Sequence, residues 1–192
     1  MIPADALLNA YASGWFPMAV TPGEIRWYSP DPRGIIPLDT FHVPSRLARS
    51  LRARPFEIRV DTDFPAVIRA CAKRPDPDGN WIDREIIDSY CALHDQGLAH
   101  SVEAWRDDQL VGGLYGVAMR GAFFGESMFH RVPDASKAAL VALVERLRER
   151  RYTLLDTQWV TEHLLQFGAI EVPRRRYLQM LDRALAIDPA FR

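Results

Sequence analysis

Three strand-like segments follow one another with very short connections, and this arrangement constrains the fold more than any other feature of the sequence. The segments are AHSVEAWR at 99–106, LVGGLYGVAM at 110–119 and AFFGESMF at 122–129. Connections of two or three residues join antiparallel neighbours, so the segments predict a meander. A long helical segment and a further apolar strand, TLLDTQWV, come next. This order predicts an α+β fold with a mixed, mainly antiparallel sheet flanked by helices.

The same order of elements is similar to that of the GCN5-related acetyltransferase superfamily. Most members of that superfamily hold the pyrophosphate of coenzyme A in a glycine-rich loop before the long helix. Here the connection is HRVPDASK, residues 130–137, which contains no glycine. An acyl-coenzyme A donor is therefore disfavoured, although an acyl-coenzyme A-dependent N-acyltransferase stays open as an alternative.

The first 32 residues predict a small annex. A short helical pattern begins near Ala4 and is ended by Gly14 and Pro17. Residues 21–39 contain several prolines and are typical of an extended connection without regular structure. We therefore predict a truncated N-terminal annex over 1–32 and an acetyltransferase-like domain over 33–192.

The composition is that of an ordinary globular protein, with 48% hydrophobic residues and a formal net charge of −1. No segment approaches the roughly 20 consecutive apolar residues that cross a membrane, and the first 17 residues do not resemble a secretory signal. Cys71 and Cys91 lack the spacing of metal or redox motifs. We expect a cytoplasmic monomer without a membrane partner.

A short basic helix is predicted over 45–54, with Ser45 as its N-cap. Arg46, Arg49 and Arg52 are spaced three apart and share one face, and Arg54 lies just beyond them. Residues 41–60 contain five arginines and only one acidic residue. The helix face is either simply solvated or binds phosphate groups, and the sequence supports both interpretations equally.

FFGESMF, residues 123–129, places one carboxylate inside an apolar run. A buried carboxylate costs several kcal/mol unless it is paired, so Glu126 either meets solvent or an arginine, or lines a pocket for a cationic ligand. The strand period of two predicts that Phe124, Glu126 and Met128 share a face. In TLLDTQWV the same period predicts that Asp156 and Gln158 point into one cleft.

Several blocks, in this order and spacing, resemble the leucyl/phenylalanyl-tRNA–protein transferase family. They include AYASGWFPM, WYSPDPRGIIPL, LVGGLYGVA, FFGESMF, LLDTQW and HLLQFGAIEVPR, and the resemblance runs from about Leu7 to Leu181. That family moves Leu or Phe, and less readily Met, from aminoacyl-tRNA to the N-terminal Arg or Lys of proteins, which marks them for degradation. The resemblance implies no metal, ATP or coenzyme.

The resemblance also implies roles for individual residues. Gln158 would contact the attacking α-amine with the support of Asp156, and Glu126 would belong to the substrate site. The other implied substrate contacts are Phe123, Leu114 and Tyr115 around the transferred side chain and Trp81 near the terminal adenosine, with Arg46, Arg49, Arg52 and Arg54 facing tRNA phosphates. Met18 stands where the family has a tryptophan, because the usual FPW reads FPM here. The family's further N-terminal glycine-rich segment is also missing from this sequence.

Two questions stay open at the level of sequence. The carboxylate that would hold an incoming Arg or Lys could be Glu126, Asp156, Glu103 or Glu162, and the sequence does not rank them. The arginine helix and the aromatic residues would also suit a non-catalytic RNA-binding module. An aminoacyl ester is already activated, however, so positioning the two reactants could suffice for transfer.

Overall fold

The chain folds around a seven-stranded sheet with the predicted meander at its centre. The structure is a computed structural model that describes residues 1–53, 55–73 and 81–192. The helices are α1 (Ala4–Ala12), α2 (Ser45–Arg52), α3 (Phe64–Ala72), α4 (Arg84–Asp95), α5 (Ala135–Glu149), α6 (Glu162–Leu165) and α7 (Arg174–Leu185). The strands are β1 (Phe16–Thr21), β2 (Glu24–Tyr28), β3 (Arg33–Ile36), β4 (Glu57–Val60), β5 (Ala99–Arg106), β6 (Gln109–Met119), β7 (Ala122–His130), β8 (Leu154–Gln158) and β9 (Ile170–Val172).

The main sheet has the strand order β4-β5-β6-β7-β8-β3-β9. Every neighbouring pair is antiparallel except β7 and β8, which are parallel and are connected through α5. A parallel pair needs a crossover connection, and α5 provides it. The predicted α+β class, with a mixed and mainly antiparallel sheet, is confirmed. The likeness to acetyltransferases stays a prediction. Within the described ranges, none of the helices is long and apolar enough to span a bilayer.

Hydrophobic clusters cover both faces of the sheet. One cluster joins the sheet to α1, α3, α4 and α7, and includes the buried Tyr11, Tyr90 and Tyr177. The other joins the sheet to α2 and α5, and includes Leu47 and Leu140. Each large apolar side chain that is fully buried contributes about 1.5–3 kcal/mol, so the two helical layers hold the sheet firmly from both sides.

The N-terminal region contains more regular structure than its prolines predict. β1 and β2 form a separate two-stranded antiparallel sheet, and β3 joins the main sheet between β8 and β9. The predicted irregular connection over 21–39 was therefore wrong. Pro17 is tolerated because β1 is an edge strand, where a missing backbone donor costs little. Leu7, Tyr11 and Phe16 are fully buried in the same cluster as α4, so the annex shares its core with the larger domain.

One helix start differs from the sequence prediction, and a second has an N-cap residue whose side chain makes no capping hydrogen bond. α2 begins at Ser45 with Pro44 at the N-cap position, and no side chain caps this end. The prediction of Ser45 as the cap was wrong because the preceding proline already has the extended backbone that an N-cap needs. α5 does have Asp134 at its N-cap, but the Asp134 carboxylate pairs with Lys137 at 3.2 Å and caps no backbone N–H.

A β-bulge at Glu126 reverses the alternation of side chains along β7. Tyr115 pairs with Ser127 and Gly116 with Gly125, which leaves Glu126 as the extra residue. Phe124 consequently packs in the cluster that contains Tyr11, whereas Met128 packs on the opposite face. The predicted grouping of Phe124, Glu126 and Met128 was wrong for this reason.

Candidate active site

The site lies where the two parallel strands separate. β7 and β8 pair only through Ala122–Leu154, Phe123–Leu155 and Phe124–Asp156, and they diverge beyond those pairs. A cavity of about 340 Å³ opens between the diverging ends, against α5 and α6. Its apolar wall consists of Leu114, Leu140, Leu143, Leu155 and Leu164, with Met128 beside them. This wall can receive one large apolar side chain.

Four buried polar atoms around the cavity have no hydrogen-bond partner within the described residues. They are the Oγ of Ser127, the Oγ1 of Thr157, the Nε2 of Gln158 and the Nε2 of His163. An unsatisfied buried polar atom costs about 1–3 kcal/mol, and native proteins contain few of them. Their concentration around one cavity indicates that a polar ligand completes the site.

Glu126 brings a carboxylate to the cavity from the bulge in β7. The Tyr11 hydroxyl donates to its Oε1 at 2.6 Å, and the Tyr90 hydroxyl lies 3.4 Å from its Oε2. The two tyrosine hydroxyls also hydrogen-bond to each other. Burial raises the pKa of Glu126 to about 7, and the charge of Asp156 adds to this effect. The hydrogen bond from Tyr11 opposes it, and so does the Gln158 amide, which comes close to the carboxylate without forming a hydrogen bond of normal geometry. The carboxyl group is therefore balanced between its two protonation states at neutral pH.

Burial and the nearby Glu126 raise the pKa values of Tyr11 and Tyr90 above their ordinary range. Both phenols thus keep their protons at neutral pH and act as hydrogen-bond donors. Since Tyr11 comes from α1 and Tyr90 from α4, two helices on one face of the sheet fix the orientation of the carboxylate.

Asp156 is completely buried and accepts four hydrogen bonds. Arg33 donates through Nε at 3.0 Å and Nη2 at 2.7 Å, the Tyr177 hydroxyl donates at 2.6 Å, and the backbone N–H of Gln158 donates at 2.8 Å. The Asp156 side chain is not part of the cavity wall. The prediction that Asp156 and Gln158 point into one cleft was wrong, because a register shift at Thr157 and the left-handed backbone of Gln158, with φ of 66°, break the alternation.

Arg33 anchors this buried ion pair to the N-terminal region. Its Nη1 donates to the carbonyl oxygen of Gly14 at 2.8 Å, and its guanidinium lies between the rings of Phe16 and Tyr177, at 4.8 and 4.5 Å from their centroids. Burial lowers the pKa of Arg33, but the charge and hydrogen bonds of Asp156, together with Tyr177 and Glu126, outweigh burial, and the net pKa is raised. The strained Gln158 backbone is thus held by groups from three separate parts of the chain.

The sequence matches two adjoining family descriptions. Residues 35–182 match "Leucyl/phenylalanyl-tRNA protein transferase", and residues 1–31 match the N-terminal domain of the same family. The chain belongs to the leucyl/phenylalanyl-tRNA protein transferase family.

Curated relatives of the same name agree with this assignment. A leucyl/phenylalanyl-tRNA–protein transferase of Akkermansia muciniphila is 56% identical over 183 residues, which cover 94% of this chain and 95% of the relative. One of Phenylobacterium zucineum is 57% identical over 191 residues, covering 98% and 86%. One of Gloeobacter violaceus is 55% identical over 189 residues, covering 98% and 96%.

The structure brings most of the substrate residues expected from the family to the cavity. Trp81, Leu114, Tyr115, Glu126 and Gln158 all line it. The other two substrate residues that the resemblance implied, Met18 and Phe123, do not line the cavity. Met18 is partly buried in β1 and packs against the core, and Phe123 is fully buried with its ring 5.3 Å from that of Phe191.

Two of the candidate acceptor carboxylates have other surroundings. Glu103 is fully buried, and its oxygens accept from the backbone N–H groups of residues 62 and 63 and from the side chains of Ser101 and Trp105. Glu162 is exposed at the start of α6. Asp156 is saturated as described above, so Glu126 is the candidate whose carboxylate lines the cavity.

The basic helix α2 is well exposed. Arg46, Arg49 and Arg52 all point to solvent, and none of them forms an ion pair with another residue in the described part of the chain. Arg54 was predicted to belong to the same face and lies outside the described residues. Across ranges 1–53, 55–73 and 81–192, no group of three or more His, Cys, Asp or Glu side chains could hold a metal ion.

Sequence reasoning missed five residues that shape the site: Tyr11, Arg33, Tyr90, His163 and Tyr177. Tyr11 and Tyr90 lie at apolar helical positions, which are typical of core residues. A buried phenol needs a hydrogen-bond partner, and this requirement was the available signal. His163 lies five residues after Gln158, in a segment, TEHLLQFG, whose pattern predicts only a helix.

Proposed function

We propose that this protein transfers leucyl or phenylalanyl groups, and less readily methionyl groups, from aminoacyl-tRNA to proteins with N-terminal Arg or Lys. One observation carries the proposal: a single cavity combines an apolar wall with the buried carboxylate of Glu126 and the unpartnered amide of Gln158. The membership of the family supports the same reaction. The modified proteins are then marked for degradation.

The apolar wall selects the donor side chain. Leu or Phe fills the space along this wall, whereas a smaller side chain loses about 1–3 kcal/mol of binding free energy for each missing group of methylene size. A polar side chain loses more, because its hydrogen bonds to water are not replaced. Leu114 and Tyr115 contribute to this pocket, and Phe123 supports it from behind through the core. Trp81 and Met18 are proposed to lie near the terminal adenosine.

The reaction depends mainly on holding the amine and the ester in the correct relative orientation. The neutral α-amine of the acceptor attacks the ester carbonyl, a C–N bond forms, and the C–O bond to the tRNA ribose breaks. An α-amine has a pKa of about 7.7–8.0, so part of it is neutral at pH 7 without a strong base. Holding amine and ester together supplies roughly 7–11 kcal/mol. Gln158 orients the amine, since an amide is too weak a base to remove its proton.

Asp156 acts on the reaction indirectly. Its carboxylate is saturated by Arg33, Tyr177 and the backbone of Gln158, so we propose that it fixes the position of Gln158 and takes up no proton. Glu126 has the opposite character, because its pKa of about 7 lets it hold a cationic amine or accept a proton as the bond forms.

The exposed arginines of α2 are proposed to bind phosphates of the tRNA. Arg46, Arg49 and Arg52 present three exposed guanidinium groups that form no ion pair within the described residues, and Arg54 is proposed to extend this surface. We propose further that the protein is a cytoplasmic monomer, and that the annex of residues 1–32 and the domain of 33–192 form a working unit through their common core.

A direct transfer assay tests the proposal. The protein is incubated with leucyl- or phenylalanyl-tRNA and a peptide that begins with Arg, and mass spectrometry measures the addition of one residue. A peptide with an acetylated N-terminus serves as the control and should stay unchanged. Retention of tRNA without transfer would favour the RNA-binding alternative. Transfer of an acyl group from acyl-coenzyme A would favour the acyltransferase alternative.

A further inference from the structure

His163 is a cavity residue to which the mechanism above assigns no role. It lies on α6, directly after the strand that carries Asp156 and Gln158. Its ring packs 5.8 Å from the ring of Phe167, at an angle of 65°. The Nε2 atom is buried, lines the cavity and has no hydrogen-bond partner within the described residues. The imidazole is thus fixed on one side and unsatisfied towards the cavity.

The imidazole of His163 is neutral under ordinary conditions. Burial lowers its pKa below the usual value, and electrostatic interactions with Lys137 and His130 act in the same direction. Lys137 is itself paired with Asp134, at 3.2 Å. A neutral imidazole offers one N–H donor and one acceptor, and it can polarise a substrate oxygen without carrying a full charge.

His163 and Glu126 approach the cavity from opposite faces of the sheet. Glu126 is held by Tyr11 and Tyr90, which belong to the cluster of α1 and α4. His163 stands beside Phe167, which belongs to the cluster of α2 and α5. The cavity therefore has an acidic side and a side with a neutral donor.

Charge develops at two positions during aminoacyl transfer, and these positions match the two sides of the cavity. At one end the attacking nitrogen becomes positive and loses a proton. At the other end the ribose oxygen gains negative charge as the C–O bond breaks, and it finally receives a proton. Glu126 and Gln158 are placed to contact the attacking nitrogen. Of the four cavity atoms without a partner in the described residues, those of Ser127 and Thr157 lie on the same two strands as Glu126 and Gln158, whereas that of His163 comes from a separate element.

We propose that His163 is a further catalytic residue, whose Nε2–H donates a hydrogen bond to the ribose oxygen that leaves from the aminoacyl ester. This inference rests on the proposed function and adds one group to it. The C–N bond forms as the C–O bond breaks, and the electron pair of that bond stays on the ribose oxygen. The proton released by the amine ends on the same oxygen, so no further reactant is needed.

A comparison of two donors tests this role. The first is the 3′-phenylalanyl ester of adenosine, whose leaving oxygen is strongly basic. The second is phenylalanine cyanomethyl ester, whose leaving group is a much weaker base and needs little help. His163→Leu should lower kcat/KM about 10²-fold with the adenosine ester, the usual cost of losing one such donor. With the cyanomethyl ester, the loss should stay below about threefold.

Two further variants separate hydrogen bonding from packing. The amide nitrogen in His163→Gln reaches the place of Nε2, so this variant should stay within about tenfold of the wild type with the adenosine ester. In His163→Asn the amide reaches only the place of Nδ1, and the rate should be as low as in the leucine variant. The exposed neighbour Glu162 provides the control, and Glu162→Gln should leave both rates unchanged.

Several results would overturn the assignment. Equal losses with both donors would show that His163 serves folding or general binding. If the wild type does not accept the cyanomethyl ester, the glutamine variant decides, and a rate no better than that of the leucine variant would refute the hydrogen bond. A wild-type protein that transfers from neither aminoacyl-tRNA nor the adenosine ester would instead refute the proposed function.

Discussion

Glu126 and Asp156 show how the surroundings of two buried carboxylates separate their roles. Asp156 accepts four hydrogen bonds, two of them from a buried guanidinium, and has no capacity left for a ligand. Glu126 accepts from phenols that keep their protons, and its carboxylate lines the cavity. The first residue therefore supports the structure of the site, and the second can respond to the substrate.

The raised pKa of Glu126 predicts a specific dependence of stability on pH. In the folded protein the pKa is about 7, whereas an unfolded glutamate has its ordinary value near 4.5. Between these values the folded state holds a proton that the unfolded state has released. The contribution of Glu126 is therefore complete below about pH 4.5, and it falls by about 1.4 kcal/mol per pH unit as the pH rises to 7.

Glu126→Gln should remove this loss. Urea unfolding from pH 4.5 to 8 should show that the variant gains stability relative to the wild type as the pH rises. Glu162→Gln, at an exposed position, should follow the wild type at every pH. A constant difference between Glu126→Gln and the wild type would contradict the raised pKa.

Asp156 and Gln158 should differ in what their replacement costs. Asp156→Asn leaves the buried Arg33 without its counter-charge, and breaking such a pair costs about 3–5 kcal/mol. It should lower both kcat and the free energy of unfolding. Gln158→Ala removes an amide whose Nε2 has no partner in the described residues, so it should lower kcat with little change in stability.

Chemical denaturation and steady-state transfer assays on the same two variants measure this difference. An Asp156→Asn variant with the stability and the kcat of the wild type would contradict the positioning role of Asp156.

At the scale of elements, the arginine face of α2 makes a testable interface. Replacing Arg46, Arg49 and Arg52 together by Ala would remove the three proposed phosphate contacts, so the slope of log K against log salt concentration for tRNA binding should fall by about 2 to 3. Filter binding between 50 and 300 mM salt measures the slope, which follows from counterion release.

The matched control lies on α7. Arg175, Arg176 and Arg183 are equally exposed, but α7 packs on the other face of the sheet from α2. Their triple replacement by Ala should leave the slope unchanged. Equal effects of the two triple variants would remove the special role of α2.

Local patterns predicted some elements and missed others for a physical reason. The meander β5-β6-β7, the helix α5 and the strand β8 were all predictable, because each depends on periodicity or a nearby turn. β3 was missed because it is short and gains its stability from pairing with β8 and β9, more than a hundred residues away in the sequence.

The bulges are the second class of feature that the sequence could not reveal. A bulge is defined by two strands, and nothing in FFGESMF alone shows that Gly116 will stand opposite Gly125. A side chain at Gly116 would collide with the backbone oxygen of Phe124, so this glycine is required by a partner that local reasoning does not see. Several residues that line the cavity were therefore predictable, but their orientations and the buried residues that support them were not.

At the scale of the whole molecule, the N-terminal region and the larger domain should unfold together. Leu7 is fully buried in the cluster that also contains Tyr90 and Phe124. Leu7→Ala should lower the free energy of unfolding by about 2–5 kcal/mol and shift one cooperative transition. The lost side-chain volume leaves a void in a core that both regions share.

Thermal unfolding followed by both tryptophan fluorescence and circular dichroism checks this expectation. Leu165→Ala, which truncates an exposed leucine, is the control and should change stability by less than about 0.5 kcal/mol. Two separate transitions would show that the annex folds as an independent unit.

The short contact between β7 and β8 has a mechanical consequence. Three residue pairs join strands β4-β5-β6-β7 to strands β8-β3-β9, and β7 and β8 separate beyond these pairs, so the sheet opens at this point. Glu126 lies on β7 and Gln158 on β8, so a substrate that contacts both residues links the two parts of the sheet across the opening. The occupied enzyme is then stiffer than the empty one, and the reactants complete the architecture that aligns them.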